Sequence, residues 1–354
     1  MKRRTFLATG AGLGAALPLA APAIAQGRVQ WNLASSFPLA APGVGTNVTR
    51  YAELVKAMSD GRMEFTLFGA GELVGPFQVE DAVQAGNAPV GHAPPYYSAG
   101  REPATHWLTG VPFGMTSAEH VAWLRWGGGQ EIWDEIYAAR NLKPFYSGNS
   151  NTQSGGWFKS RIEGLDDLQG LNMRIAGLGA EMMRKLGVNA VLMPAGEIFT
   201  ALQSGAIDAA EWVGPMLDRA FGLQRITNLC YVPAFAEPAA AVAVIFNTDA
   251  WDELPADLQA ICAGAAHAAA LEMQAQFDYF NAEAMAQLQD DGVEFLPFPP
   301  EVVDAMRTAW EEVREEMRTA HPSVATLLES YEPWFEKSRA YGRAMTEPLL
   351  AGRT

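Results

Sequence analysis

Two short segments place a charge among apolar neighbours: Gly170-Leu-Asn-Met-Arg-Ile-Ala176, centred on Arg174, and Ala206-Ile-Asp-Ala-Ala-Glu-Trp-Val-Gly-Pro215, which carries Glu211. A lone guanidinium or carboxylate is costly to bury, so each needs a partner. Arg174 follows an apolar strand pattern and offers a planar fork of donors. Such a fork grips a carboxylate through two parallel hydrogen bonds, which a lysine cannot reproduce. Glu211 is the kind of buried carboxylate that a cation stabilises, and hard ions such as sodium or calcium take oxygen ligands. One reading makes a small organic acid and its metal ion the shared partner of both residues. The other is structural: Arg174 closes an ion pair with a local acid or with Glu211 itself. Asp208 reads as a turn residue.

Catalytic chemistry has little support. Gly177-Leu-Gly179 begins like a dinucleotide fingerprint after a strand, but Met182 stands where the third glycine belongs. There is no Gly-x-Ser-x-Gly elbow, no His-Glu-x-x-His and no Walker loop. The histidines His92, His106, His120, His267 and His321 are scattered, and no Cys/His cluster has zinc spacing. Cys230 and Cys262 read as two partly buried thiols, with a bridge left open.

The segment before the first strand pattern has the form of an export signal. Lys2-Arg-Arg-Thr-Phe-Leu7 carries twin arginines, an apolar Gly-rich stretch follows, and Ala23-Ile-Ala25 is a small-residue cleavage site. Removal of residues 1–25 takes away Lys2, Arg3 and Arg4 and no acid, moving the formal charge from −15 to −18. That balance argues against nucleic acid as a partner. An acidic protein that captures an anion must build a local positive site against its own field, so a lone arginine at an apolar position counts for more than the average charge.

The chain is long enough for two domains. Val29–Ala34 and Met63–Phe68 read as strands, each followed by a helical stretch, 45–58 and 77–85. The alternation resumes with strands at 172–175 and 190–193 and helices at 179–186 and 195–204, which implies parallel βαβ units in two α/β halves. Ser147 to Trp157, dense in Gly, Ser and Asn, reads as a crossover or binding loop. Ala239–Phe246 reads as a buried strand returning the chain to the first domain. Two such connections make a hinge. Helices follow at 254–285 and 300–320, the latter amphipathic from Val302 to Met317, and then a tail with Tyr331, Trp334, Phe335 and Tyr341. The resulting division is domain I at 26–150 plus 240–288, domain II at 151–239 plus 289–330, and a helical tail at 331–354.

Four stretches together are specific enough to name a resemblance: Phe68-Gly-Ala-Gly-Glu-Leu73, Leu165-Asp-Asp-Leu-Gln-Gly-Leu-Asn-Met-Arg174, the run from Met193 to Trp212, and Leu254-Pro-Ala-Asp-Leu-Gln259. The chain resembles the DctP-type periplasmic solute-binding proteins of TRAP transporters. Glu211-Trp212 with Gln153-Ser-Gly-Gly-Trp-Phe158 resembles the branch that binds 2-oxo acids such as pyruvate. The resemblance implies an α/β periplasmic binding protein whose two hinged domains enclose a cleft, with a long C-terminal helical tail and no enzymatic activity. It implies that Arg174 holds the ligand carboxylate, and that the Glu211 side chain, the Trp212 main-chain oxygen and the Gln153 amide oxygen bind a sodium or calcium ion. Glu237 is a candidate second acid near that ion. Asn149 is a candidate donor to the ligand, with an Asx-turn as its structural alternative, and Tyr96 and Tyr97 are candidate pocket walls. The partners implied are a small organic acid, the membrane permease subunits of an ion-gradient-driven transporter, and a second copy of the chain through the tail. The location implied is the periplasm. A lactate-type hydroxy acid stays open as the ligand, as does a secreted enzyme acting on a small carboxylate.

Overall fold

The computed structural model describes residues 28–353, so the export segment and its cleavage site lie outside the described residues. Two sheets form its frame. The first has the order β2 (Met63–Phe68), β1 (Val29–Ser35), β3 (Val90–Ala93), β10 (Ala241–Asn247), β4 (Leu142–Asn149). The second has the order β11 (Glu294–Leu296), β9 (Leu229–Tyr231), β5 (Gly156–Phe158), β8 (Ala209–Ala210), β6 (Asn172–Arg174), β7 (Asn189–Val191). In the first, β1 runs parallel to β2 and β3, while β10 is antiparallel to β3 and β4. In the second, β6 is parallel to β7 and β8.

Local sequence accounts for most of these elements. Every residue of β10 is buried, as its unbroken apolar run requires of a strand with neighbours on both sides. The helices Ala195–Ser204 and Pro300–Ala320 begin and end where the periodicity places them. The Gly-, Ser- and Asn-rich stretch is less open than its composition suggests. Ser147 to Asn149 finish β4, Gly156 begins β5, and only the residues between form a loop.

The chain passes between the sheets three times: from β4 to β5, from β9 to β10, and again after the helix Ala256–Asp290, because β11 adds to the second sheet alongside β9. That 35-residue helix packs on β4 and the helix Val44–Met58 of the first half, and on the helix Pro215–Ala220 of the second. Asn151, in the first crossing, donates from Nδ2 to Gln274 O (2.9 Å) and Asp278 Oδ1 (2.7 Å) and so fixes the crossing to this helix.

The helix Pro300–Ala320 turns Val302, Met306, Ala309, Trp310 and Val313 inward and lies on the helix Gly177–Lys185 of the second half. The next helix, Pro322–Tyr341, runs through residue 331 without a break and packs on the first half. There Trp123 Nε1 donates to Ser330 Oγ (3.0 Å), Trp334 Nε1 donates to Glu119 O (3.0 Å), and Met115 N donates to Tyr331 Oη (3.2 Å). The two helices therefore strap the halves together. Cys230 on β9 and Cys262 on the long helix are both buried and free. Among the described residues no helix is long and apolar enough to cross a membrane.

A buried polar knot secures the first sheet. Asn47 Nδ2 donates to Ser147 O (2.8 Å) and Ala269 O (3.2 Å), leaving Asn47 Oδ1 to accept from His92 Nε2 (3.1 Å). His92 Nδ1 then accepts from Ser35 Oγ at 3.2 Å. Burial pushes the His92 pKa down to about 3, so the imidazole stays neutral. The folded chain refuses a proton that the unfolded chain takes up below about pH 6.5, so the His92 contribution is present at neutral pH and is lost on acidification. The stability gap between the parent chain and His92→Gln should narrow by about 3 kcal/mol between pH 7 and pH 4. Urea unfolding at the two pH values measures it, and a constant gap would contradict the buried neutral imidazole.

Candidate ligand and metal site

Arg174 ends β6, and Glu211 follows directly on β8. The register sets Arg174 opposite Ala210, which brings both charges to the carboxyl ends of adjacent parallel strands. Open α/β sheets bind ligands at such ends. Both side chains are only 1% exposed. Arg174 Nη1 donates to Glu211 Oε2 at 3.0 Å and also to the Glu211 main-chain oxygen, while Glu211 N donates to Arg174 O at 2.9 Å. The ion pair open in the sequence is therefore present, and it leaves Arg174 Nε and Glu211 Oε1 buried without partners.

The first two crossings between the sheets bring the other acid and the amide. Gln153, on the first, donates from Nε2 to Ser150 Oγ (2.7 Å) and to Glu237 Oε1 (3.2 Å), the latter on the second crossing. Gln153 Oε1 is buried and makes no hydrogen bond. Trp212 packs its ring between Phe37 (6.5 Å) and Phe221 (5.4 Å), and the Arg174 guanidinium lies 5.0 Å from it, a cation–π arrangement. Tyr96 and Tyr97 follow β3 and stack on each other, with ring centroids 5.2 Å apart. Asn149, at the end of β4, accepts from Asn151 N at 2.9 Å through Oδ1, so its Asx-turn is made; its Nδ2 is buried and unpartnered. Asp208 accepts from Asn172 N and Nδ2, each at 3.0 Å, as a turn residue would. Trp157 and Phe158 are wholly buried in core packing.

Electrostatically the site is short of positive charge. Arg174 is the one lysine or arginine that is buried among the described residues, and it faces three buried carboxylates, Glu211, Glu237 and Asp218. Burial pushes Glu211 well above the usual carboxylate range, and Glu237 adds to the rise while Arg174 opposes it. Burial pushes Glu237 up to about 7, again against Arg174. Asp218 rises to about 6 by burial, with the hydrogen bonds from Trp157 and Val213 holding it down. Burial raises Tyr97 to about 12 and Tyr96 well above its ordinary value, so both remain phenols.

A hard cation fits this donor set. Gln153 Oε1 and Glu211 Oε1 are two of the oxygens that the resemblance assigns to the metal, and both are buried acceptors with no hydrogen-bond donor. Among the described residues no three His, Cys, Asp or Glu side chains cluster as a metal site, so amide and main-chain oxygens would have to complete the coordination. Asp218, Ser150 and Asn151 support the site but were not legible as doing so. Their only signal is a short polar side chain within an apolar or Gly-rich stretch.

The comparisons with known proteins decide the family. Residues 40–320 match the model of DctP, bacterial extracellular solute-binding protein, family 7. The chain belongs to this family. As a DctP-family receptor it is a solute-binding protein and not an enzyme. The monocarboxylate 2-oxoacid-binding periplasmic protein of a Nostoc species is 39% identical over 315 residues, covering 89% of this chain and 86% of that one. A TRAP periplasmic solute-binding protein from Pseudoalteromonas atlantica, solved with bound sodium and pyruvate, is 35% identical with a TM-score of 0.89, over 92% of this chain and all of that one. A TRAP solute-binding protein from Bordetella bronchiseptica is 32% identical with a TM-score of 0.89, over 91% and 96% of the two chains. It was solved as a mixed-occupancy dimer, with calcium and picolinate in one site and the other site empty. The two-domain α/β binding-protein fold expected of a DctP-family chain is thus present.

The halves meet closely over the site. Gly177, at φ +62, lies under the Tyr96 ring, and a Cβ there would come within 2.9 Å of a ring carbon. Gly177→Ala should therefore disfavour the closed arrangement by about 1–3 kcal/mol. Small-angle scattering of the variant should give a larger radius of gyration than the parent chain, and an unchanged radius would refute this contact as part of closure.

Proposed function

We propose that this chain is the periplasmic receptor of a TRAP transporter for a small 2-oxo monocarboxylate of the pyruvate type, bound together with a sodium or calcium ion. One observation carries the reading. Within a single closed site, two acceptor oxygens, Gln153 Oε1 and Glu211 Oε1, want a cation, and a guanidinium nitrogen, Arg174 Nε, wants an acceptor. A metal carboxylate supplies both. The metal would sit among the Glu211 side chain, the Trp212 main-chain oxygen and the Gln153 amide oxygen, with Glu237 adding negative charge beside them. When bound it would supply a positive centre for the oxygens of the ligand.

Arg174 holds the ligand carboxylate, and the Trp212 ring beneath its guanidinium keeps the fork oriented. Tyr96 and Tyr97 close the site from the first half, and Asn149 Nδ2 is free to donate to the ligand. The ligand class follows from charge. A dicarboxylate would bring a second negative group into a site whose one buried base is Arg174. The relatives from Nostoc and P. atlantica, named or solved with 2-oxo acids, support this choice. Closure hides the anion from water and forms the surface that the membrane subunits read. Uptake then draws on an ion gradient. The export segment read in the sequence and the periplasmic Nostoc relative support the periplasm as the receptor's location. The dimeric Bordetella relative supports a second copy as a further partner.

Thermal melting of the mature chain tests this. Pyruvate with calcium or sodium should raise the midpoint by several degrees, since a ligand at 100 times its Kd adds about 2.7 kcal/mol to the folded state. Arg174→Ala and Glu211→Ala should each abolish the rise. A shift only with dicarboxylates or sugar acids, indifferent to both substitutions, would discard the metal-bridged 2-oxo acid.

A further inference from the structure

The metal reading leaves one buried carboxylate without a task. Asp218 is fully buried, six residues beyond Trp212, at the start of the helix Pro215–Ala220. Its two oxygens are used separately. Oδ2 accepts from Trp157 Nε1 at 2.9 Å, and Oδ1 accepts from Val213 N at 3.1 Å.

The second bond matters because the Val213 N–H and the Trp212 carbonyl belong to one peptide group, and that group is planar. Fixing the N–H fixes the direction of the C=O. The surrounding main chain is held as well: Glu211 N and O are engaged by Arg174, and Val213 O accepts from Ser154 N at 2.8 Å. Those bonds leave the Trp212 carbonyl as the main-chain oxygen of the segment free for a cation. A carboxylate accepting from an amide N–H also draws that proton's charge and increases the negative charge on the carbonyl oxygen of the same group, because hydrogen-bonded dipoles polarise one another. Trp157 Nε1 holds the other oxygen and stops the carboxylate from rotating away.

We propose that Asp218 is a positioning residue for the metal: it orients and polarises the Trp212–Val213 peptide so that the Trp212 carbonyl serves as a coordinating oxygen. This rests on the metal site described above, and it extends that site to a residue behind the peptide, outside the pocket.

The test is calcium affinity by titration calorimetry, with calcium alone and with saturating pyruvate. In Asp218→Asn a single amide oxygen faces two donors, and its NH2 group must oppose one of them. Calcium affinity should fall about 10- to 100-fold, the usual range for losing an outer-shell partner. Adding Trp157→Phe removes one of the competing donors and lets the amide oxygen turn to Val213 N. The double variant should recover most of the lost affinity even though it removes a second buried hydrogen bond. A residue that merely stabilised the fold would give the opposite order, with the double variant worse than the single. Amide hydrogen exchange at Val213 should quicken in Asp218→Asn and slow again in the double variant. Glu211→Gln separates the two levels of the argument. If it loses calcium while Asp218→Asn keeps parental affinity, the metal site stands and the role of Asp218 falls. If Glu211→Gln also keeps calcium, both fall together.

Discussion

A guanidinium and a carboxylate are held face to face out of water at the ends of two neighbouring parallel strands, and the rest of the molecule answers to that constraint. Desolvating both charges costs several kcal/mol each, and a single contact between them does not repay it in full. The remainder comes from placement. The Arg174 fork also reaches the main-chain oxygen of Glu211, its plane lies over Trp212, and the β6–β8 register brings the two residues level without bending the chain. Three buried carboxylates against one guanidinium leave an interior that an incoming cation improves. The same excess of negative charge would repel a bare carboxylate. The anion is therefore welcome only in the company of the metal.

The scaffold turns this local balance into a molecular event. Arg174, Glu211 and Trp212 belong to the second sheet, while Tyr96, Tyr97 and Asn149 belong to the first, and Gln153 and Glu237 ride on the strands' connections between them. No single half holds all of the residues of the proposed site. The contacts of Phe37 on Trp212 and of Tyr96 on Gly177 join the halves beside these residues. The amphipathic helix Pro300–Ala320 on one half and the helix Pro322–Tyr341 on the other keep the halves associated whatever the site contains.

Much of this was legible in the sequence wherever one local signal dominated. Period-two and unbroken apolar runs gave β1, β2 and β10, and the helices Ala195–Ser204 and Pro300–Ala320 were bounded to the residue. Arg174 and Glu211 stood out because charge at an apolar position has few innocent explanations. Elsewhere no local signal existed. β3 is four residues containing Gly91 and His92, and only its neighbours β1 and β10 make it a strand. β11 is three residues whose sole qualification as a strand is lying beside β9. Asp218 looks like any acid in the first turn of a short helix. Its significance comes from Trp157, 61 positions earlier, and from which peptide its other oxygen faces.

The helix Ala256–Asp290 extends about 52 Å at 1.5 Å per residue, longer than either sheet is wide. Both halves grip it, and the first crossing is tied to it by Asn151. A rod clasped by two bodies leaves them little freedom to draw apart and much freedom to turn about its length. Opening is then a matter of angle rather than separation. A small turn at the axle is magnified with distance from it. In the receptor proposed above, occupancy of one buried site would in this way be displayed as a change of outline that another molecule reads without touching the ligand.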